Sequence, residues 1–331
     1  MLAKLPKGLY CPEGNFFIDP MRAVDNAVVT HAHSDHARRG SKQYFCARTG
    51  VELLKARLGN SIRISGVDFG KPFELGRVKV SFHPAGHILG SAQVRMECDG
   101  KVWVASGDYK RDPDPTCEPF EVVPCEVFVT EATFGTPAYR WKKDANVGRE
   151  IFEWWQENKK EGVNSVVFAY SLGKGQRILG MLRAFTEETI FCDPNMKAMN
   201  DCYRAQGIAL ANTACLSEVE APLRGALVLA PQSFLKSERA ALLGNNFKTA
   251  FASGWMAEGS EGYDRGFLLS DHADWDDLLL TVKESRAKRV YVQHRGKGAL
   301  VRHLRSIGLE AFPDTDLTMP MPLSEQLALP W

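Results

Sequence analysis

His31-Ala32-His33-Ser34-Asp35-His36 closes the apolar run that begins Ala27-Val28-Val29. Four ligand-type side chains within six residues are more than one strand-to-loop turn can pair internally, so the stretch asks for a partner outside the chain. A pair of metal ions is the simplest one. An extended loop sends alternate side chains to one side, so His31 and His33 can grip one ion while Asp35 and His36 face a second. Imidazole with carboxylate suits zinc, manganese or iron rather than calcium.

The surrounding sequence repeats the pattern. Short apolar runs at 27–30, 78–82, 102–105 and 127–130 are bounded by Gly, Pro and Asp, which predicts strands. Each leads into a chemical residue: His31; His87 within Pro84-Ala-Gly-His-Ile-Leu-Gly90; Asp108 within Ser106-Gly-Asp108; and Glu131. Polar groups at the carboxyl ends of strands are how layered folds build a site, because the sheet fixes positions and the loops supply reach. The donor count suits two metal positions, with Asp108 as the bridging carboxylate and His294 able to close the second. Two such ions, ~3.5–4 Å apart, activate water near neutral pH and clamp the attacking and leaving oxygens of a phosphodiester.

Composition sets the limits. A chain of 331 residues that is 44% hydrophobic exceeds one compact domain, so two domains or a large insertion are expected. Lys plus Arg (41) nearly balance Asp plus Glu (40), so a polyanion would be held by a local basic patch or by metals, not by overall charge. The eight cysteines are scattered without a CxxC pair, which predicts reduced thiols in a cytoplasmic protein and removes zinc-ribbon and thioredoxin readings. Residues 1–15 lack the apolar core of a signal peptide, and no run approaches the ~18 apolar residues of a membrane span.

After about Tyr139 the pattern changes. A helix at 146–160 carries Ile151, Trp154 and Trp155 on one face; a strand at 166–169, the loop Ser171-Leu-Gly-Lys-Gly175 and a helix at 176–185 follow. Strand, Gly-rich loop and helix are the grammar of a doubly wound α/β unit. Further strands are predicted at 226–230 and 248–252. From 266 the earlier style returns: a strand at 266–269 runs into Ser270-Asp271-His272, a helix covers 274–285, and a strand at 289–292 runs into Gln293-His294. The organisation is therefore a first domain over 1–140, an insertion over 141–260, and a closing segment of the first domain over 261–331.

These residues carry a resemblance. His31 to His36, His87 and Asp108 resemble the ligand motifs of the metallo-β-lactamase superfamily, and Asp19 in Phe16-Phe-Ile-Asp-Pro20 resembles the buried aspartate that opens that pattern. Glu131, His272 and His294 resemble the three additional motifs of the β-CASP nucleases, whose inserted domain interrupts the metallo-β-lactamase fold where composition changes here. Ser253-Gly-Trp-Met-Ala-Glu-Gly259 and Leu269-Ser-Asp-His-Ala-Asp274 are most similar to the bacterial ligase-associated DNA exonucleases, also known as mRNA 3′-end processing factor-like proteins. The resemblance implies an αββα metallo-β-lactamase sandwich with an inserted β-CASP α/β domain and two divalent ions, zinc or manganese. It implies a hydrolase that cuts single-stranded DNA from the 5′ end in repair, beside a DNA ligase and helicase, and leaves a 5′-phosphate and a 3′-hydroxyl. His272 is then the general acid and Glu131 its orienting carboxylate. One departure stands out: eukaryotic DNA-directed members typically have an apolar residue at the third additional motif, whereas His294 follows the RNA-directed pattern.

Plainer roles compete at several positions. His83 alternates with Val80 and Phe82, which suits a strand-end hydrogen bond, and His303 sits in an amphipathic helix at 300–307 as a surface residue. Asp19 is either a turn residue before Pro20 or an outer acceptor for the His31 or His33 ring. Ser171-Leu-Gly-Lys-Gly-Gln-Arg177 lacks Walker A spacing, so nucleotide hydrolysis finds no support, but a Gly-rich helix start binds phosphate through backbone N–H groups. Lys174 and Arg177 are thus candidate backbone clamps, with Ser270 as a further substrate contact. Arg38-Arg39, Lys42 and Tyr139-Arg-Trp-Lys-Lys143 mix charge and aromatic faces near the presumed mouth, as single-strand tracking requires; solvated turns are the equal alternative. The tail 313–331 is apolar enough to pack on the first domain or on a partner. Three rival functions remain: an RNA processing or decay nuclease of the same fold; a small-molecule hydrolase, which leaves the insertion and the Glu131–His272 pair without a role; and a metal-free scaffold, which the intact ligand set argues against.

Overall fold

The computed structural model describes residues 1–142 and 146–319. Lys143, and residues 320–331 of the apolar tail, fall outside the described residues.

The first six strands, β1 (Ala3–Leu5), β2 (Gly8–Cys11), β3 (Phe16–Ile18), β4 (Asn26–Val28), β5 (Gln43–Ala47) and β6 (Ile64–Val67), form one sheet in sequence order, antiparallel through β3 and parallel thereafter. Helix α1 (Val51–Leu58) connects β5 to β6 and turns Leu53, Leu54 and Leu58 onto Tyr44, Cys46 and Val29 of the sheet's outer side. A second sheet begins with β7 (Phe73–Leu75), β8 (Val78–Pro84), β9 (Ala92–Cys98) and β10 (Lys101–Ala105) as an antiparallel meander and passes to β11 (Val127–Thr130) in parallel. Alternation in β8 and β9 sends Val78, Val80, Phe82, Val94 and Met96 against Leu9, Phe16, Ile18 and Val28 of the first sheet. That shared core makes the two sheets a face-to-face sandwich.

The chain then leaves for a third sheet. Helix α2 (Val147–Lys160) is capped by Asn146, whose side chain accepts from Arg149 N at 3.1 Å, and buries Ile151, Trp154 and Trp155 on one face. Strand β12 (Asn164–Phe168), helix α3 (Lys174–Leu182), β13 (Ile190–Cys192), helix α4 (Pro194–Ala205), β14 (Thr213–Cys215), β15 (Leu227–Ala230), β16 (Phe247–Ser253) and β17 (Arg265–Leu268) follow. The order is β14-β13-β15-β12-β16-β17, with every pair parallel. Central β12 is buried along its whole length, as a parallel strand covered on both faces must be. On one side its Val167 joins Trp155, Ile178 and Leu179 in an apolar cluster continuous with α1; on the other, Val166 and Phe168 meet Leu216, Val228 and Leu243.

The last segment returns to the second sheet. Helix α5 (Trp275–Ser285), β18 (Arg289–Val292), helix α6 (Lys297–Ser306) and β19 (Glu310–Pro313) complete it, with β18 inserted beside β11 and β19 at the edge. Leu278, Val282, Leu300 and Leu304 of α5 and α6 cover its outer face on Val104, Phe128 and Val290. The layers are therefore α1, sheet, sheet, α5 with α6.

Two expectations need correction. The strand near 266–269 belongs to the third sheet through its pairing with β16 and not to the sheets of the first part of the chain. Helix α3 starts at Lys174, two residues before the expected start, because Gln176 Oε1 accepts from Gly173 N at 2.7 Å and secures an earlier first turn.

Candidate metal centre

Strand direction explains why distant residues meet. Strands β8, β10, β11 and β18 all run the same way, so the residues after their carboxyl ends, His87, Asp108, Glu131 and His294, come to one edge of the second sheet. The loop after β4 brings His31, His33 and His36 from the facing sheet. The two edges pack closely: Gly107 has φ +57°, and a Cβ there would lie 2.7 Å from the Thr30 side chain, so the turn presenting Asp108 requires glycine.

Three imidazoles converge with their lone pairs inward. His33 Nε2 donates to the Leu172 carbonyl at 3.1 Å, and His87 Nδ1 donates to the Asp271 carbonyl at 2.7 Å. The Thr30 hydroxyl donates to Asp19 Oδ2 at 2.6 Å, so its oxygen accepts from His31 Nδ1 at 3.0 Å. With every outer nitrogen protonated, His31 Nε2, His33 Nδ1 and His87 Nε2 carry no hydrogen. His33 Nδ1 nevertheless lies 3.1 Å from His31 Nε2 and 3.0 Å from His87 Nε2. Facing lone pairs at that distance are not hydrogen bonds; they fit a cation between them. Burial keeps these rings neutral, pushing His31 and His87 well below the ordinary imidazole value and lowering His33.

Asp108 stands at the centre of a second convergence. Its Oδ2 lies 3.4 Å from His36 Nε2, 3.7 Å from His31 Nε2 and 4.0 Å from both His87 Nε2 and His272 Nδ1, while Oδ1 lies 3.5 Å from His294 Nε2. Oδ1 is buried and has no hydrogen-bond partner, a costly state for a carboxylate unless a cation satisfies it. Burial alone would raise the Asp108 carboxyl, but His36 and then His272 hold it well below the carboxylate range. His31, His33 and His87 form one potential ligand group, and His31, His36 and Asp108 another. A divalent ion fits each.

Outer contacts fix the remaining rings. Asp19, at φ +45°, accepts from Thr30 N at 2.8 Å and from His36 Nδ1 at 2.7 Å, so the ring it holds directly is His36; it reaches His31 only through Thr30, and His33 not at all. Glu131 is buried, accepts from Tyr109 N at 2.7 Å and Thr133 N at 3.3 Å, and faces His272 Nδ1. Burial would depress the His272 imidazole, but Glu131 and Asp108 raise it to about 9. His272 with His87 and Asp108 also satisfies ligand spacing. Because Glu131 occupies Nδ1, Nε2 is the nitrogen left for a substrate or a cation.

Two outer members of the expected ligand set sit at the rim. The Asp35 side chain is 69% exposed, with its carboxylate 3.7 Å from His36 Nε2. The His294 side chain is 30% exposed, in the left-handed region at φ +68°, and stacked over His36 at 6.2 Å. His33, Asp35, His87, Asp108, His272 and His294 line a cavity of about 810 Å³ between the sandwich and the third sheet.

The expected substrate clamps take different roles. Lys174 is buried, donates to the Leu269 carbonyl at 2.8 Å and pairs with Asp271 at 3.2 Å. Arg177 is buried too, bonded to the Ser270 carbonyl and 3.5 Å from Asp114. Ser270 turns its hydroxyl onto the His272 backbone, accepting from its N–H at 3.0 Å. Carboxylates and carbonyls already engage both cations, so they join the third sheet to the sandwich instead of offering charge to a phosphate. His83 bonds Ser81 and Glu121 at 3.1 Å each, the strand-end role expected, and His303 packs edge-on to Trp275. Arg38, Arg39 and Lys42 are exposed, Lys42 pairing with Asp25. Sequence reasoning missed Arg57 at the end of α1, Tyr170, Thr133, Phe134 and Trp255 among the cavity walls. Ser253-Gly-Trp255 was the one signal for that wall. The others carry none.

No family model matches the chain. It is 32% identical over 317 residues to a protein named probable DNA ligase from Opitutus terrae, a match covering 93% of this chain and 30% of that protein. An RNase J-like protein from Methanocaldococcus jannaschii is 26% identical over 48% of this chain and 43% of its own length. A ribonuclease from Thermus thermophilus is 25% identical over 50% and 44%, respectively. The chain thus spans less than half the length of each of these curated relatives. A solved structure from Enterococcus faecalis V583, described as a protein of unknown function, matches with TM-score 0.56 and 12% identity over 87% of this chain and 78% of that one. Among the described residues, no helix is long and apolar enough to cross a membrane.

Proposed function

We propose that this chain is a β-CASP nuclease of the metallo-β-lactamase superfamily and works as a metal-dependent exonuclease on single-stranded DNA ends, a reading supported by its nuclease- and ligase-named relatives. The two packed sheets with outer helices support the αββα metallo-β-lactamase sandwich, and the third sheet supports the β-CASP insertion. The observation that carries the reading is Asp108, ringed by five imidazoles with one buried oxygen unsatisfied, at the base of a cleft between the two units.

His31, His33 and His87 would hold one divalent ion, zinc or manganese, and His36, Asp108, His294 and Asp35 the other. When bound there, such ions lower the pKa of a water and offset the charge that builds on a phosphodiester under attack. The chain's own groups do the rest. Asp19 and Thr30 aim His36 and His31, while Glu131 holds His272 at Nδ1 and so leaves Nε2 as the nitrogen with a proton to give. That proton goes to the leaving 3′-oxygen, so the products are a 5′-phosphate and a 3′-hydroxyl. The exposed Tyr170 and the half-buried Trp255 offer rings to bases, and Arg57 offers a guanidinium to the backbone.

DNA is favoured because the ligase-named relative aligns over nearly the whole chain, whereas the ribonuclease-named relatives align over about half. That relative also supports work beside a ligase in repair. The second reading, an RNA processing nuclease, is favoured by the names of those relatives and by a histidine at position 294. Digestion of 5′-labelled single-stranded DNA and matched RNA, with defined metals added back, separates the two. Early mononucleotide release from DNA supports the proposal. Equal or faster RNA cleavage moves the assignment to RNA, long 5′-labelled products exclude 5′-exonuclease action, and no cleavage by metal-loaded protein ends the nuclease reading.

A further inference from the structure

The sandwich supplies the nitrogens of the candidate metal site, but the carbonyls that orient two of them come from the third-sheet unit and its return. His33 Nε2 donates to Leu172, in the loop after β12, at 3.1 Å. His87 Nδ1 donates to Asp271, three residues beyond the edge strand β17, at 2.7 Å. Neither carbonyl is left to a free loop. Lys174 donates to Leu269 O at 2.8 Å and Arg177 to Ser270 O, so both residues just before Asp271 are pinned by α3. The Asp271 carboxylate lies 3.2 Å from Lys174 Nζ and 3.6 Å from Arg177 Nη1. Arg177 also reaches Asp114, whose carboxylate pairs with the fully buried Lys110 at 2.6 Å. The side chains of this network are buried, and Gly173 packs so closely that a Cβ there would lie 2.3 Å from Ile88 Cγ2 and 3.7 Å from His33 Nε2.

We propose that the third-sheet unit is a working part of the metal centre: the Leu172 and Asp271 carbonyls, held in place through α3, fix the tautomers of His33 and His87. Cation binding and docking of that unit are then one coupled equilibrium. The physical link is proton placement. If the unit withdraws, the outer N–H groups of His33 and His87 lose their acceptors, the inward lone pairs are no longer enforced, and affinity for a cation falls. Coupling is reciprocal, so a bound cation must hold the unit down with the same free energy. Lys174 and Arg177 become positioning residues.

The inference rests on the metal reading above, and the test separates the two. Zinc and manganese affinities of the whole chain are measured by chelator competition for wild type, Lys174→Met and Gly173→Ala, with thermal melting of each metal-free protein. The first variant frees the Leu269 carbonyl, and the second pushes the Leu172 loop off Ile88. Both are expected to weaken cation binding by about 10- to 100-fold, the cost of losing an outer partner of a ligating histidine. In wild type, metal is expected to slow amide hydrogen exchange across 170–177 and 269–272. Variant affinities within about twofold of wild type, in proteins whose metal-free forms fold, overturn the coupling. So does exchange in those segments that ignores metal, which decides the matter alone if the variants do not fold. A wild-type chain that takes up no cation overturns both readings; one that binds cation while the variants match it overturns only this one.

Discussion

Glu131 presents both carboxylate oxygens to a single nitrogen of His272, each 3.1 Å from Nδ1. The Tyr109 and Thr133 N–H groups fix the carboxylate from behind, so the pair has one arrangement and the imidazole is directed by it. If His272 is the acid, His272→Ala should keep both ions and lose roughly 10²- to 10⁴-fold in rate. Glu131→Gln should show a smaller loss of the same kind. A phosphodiester with a leaving group of low pKa should recover much of the His272→Ala loss in steady-state assays. Metal loss in His272→Ala, or no recovery, would instead make His272 a ligand.

Asp108 carries the dinuclear expectation. Elemental analysis of protein purified without chelator should find close to two transition-metal equivalents, and Asp108→Ala should lose metal and activity together, with no recovery from a better leaving group. His294→Ala should lower occupancy of one position only, since its Nε2 faces just one Asp108 oxygen. Less than one equivalent in wild type after metal is supplied would rule out the two-ion centre.

Asp19 contacts one imidazole directly, which makes its effect selective. Asp19→Asn keeps the shape but turns an acceptor pair into one acceptor and one donor, so either the Thr30 hydroxyl and His36 Nδ1, which share Oδ2, or the Thr30 N–H at Oδ1 meets a donor. We expect the affinity of the His36 position to fall by about 10- to 100-fold while the His31, His33 and His87 position changes less. Stepwise chelator titration resolves the two. Equal weakening of both positions would mean that Asp19 acts on the whole loop.

The parts of this fold that could be read from sequence are those where local and long-range order coincide. Strands β11 and β18 are apolar runs ending at a polar residue, and their edges in the structure are the expected ones. Strands β1, β2 and β3 went unread because three or four residues broken by Lys, Pro and Gly leave no period to detect. The metal-type residues announced themselves by chemistry, since clustered imidazoles have few other uses. Lys174, Arg177 and Ser270 did not, because a buried ion pair and an exposed phosphate clamp look alike until the partner is known. Asp271 lies 97 positions beyond Lys174, and nothing local marks it as that partner. Sheet membership of β17 has the same origin: its pattern fits either sheet, and only the pairing with β16 decides.

The buried network between α3 and the sandwich should appear in acid stability. Burial would raise the carboxyls of Asp114 and Asp271, but Lys110 and Arg177 hold the first below its ordinary value of 3.8, and Lys174, Lys110 and Arg177 hold the second below it. A carboxyl whose folded pKa is depressed contributes stability that is complete above its unfolded pKa and is lost as pH falls towards the folded value. Both contributions are therefore intact at neutral pH and decline below about pH 4, each adding up to about 1.4 kcal/mol per pH unit to the slope. In Asp114→Asn one proton uptake is removed, while Lys110 and Arg177 lose a counter-charge. We expect a variant less stable at pH 7, because buried cations are left short of an anion, and a shallower fall below pH 4. Urea denaturation of metal-free protein from pH 7 down to the lowest pH at which it folds measures both. Equal slopes for wild type and variant below pH 4 would show that the Asp114 carboxyl titrates as in the unfolded chain, and that its contacts with Lys110 and Arg177 contribute nothing to holding the third sheet against the sandwich.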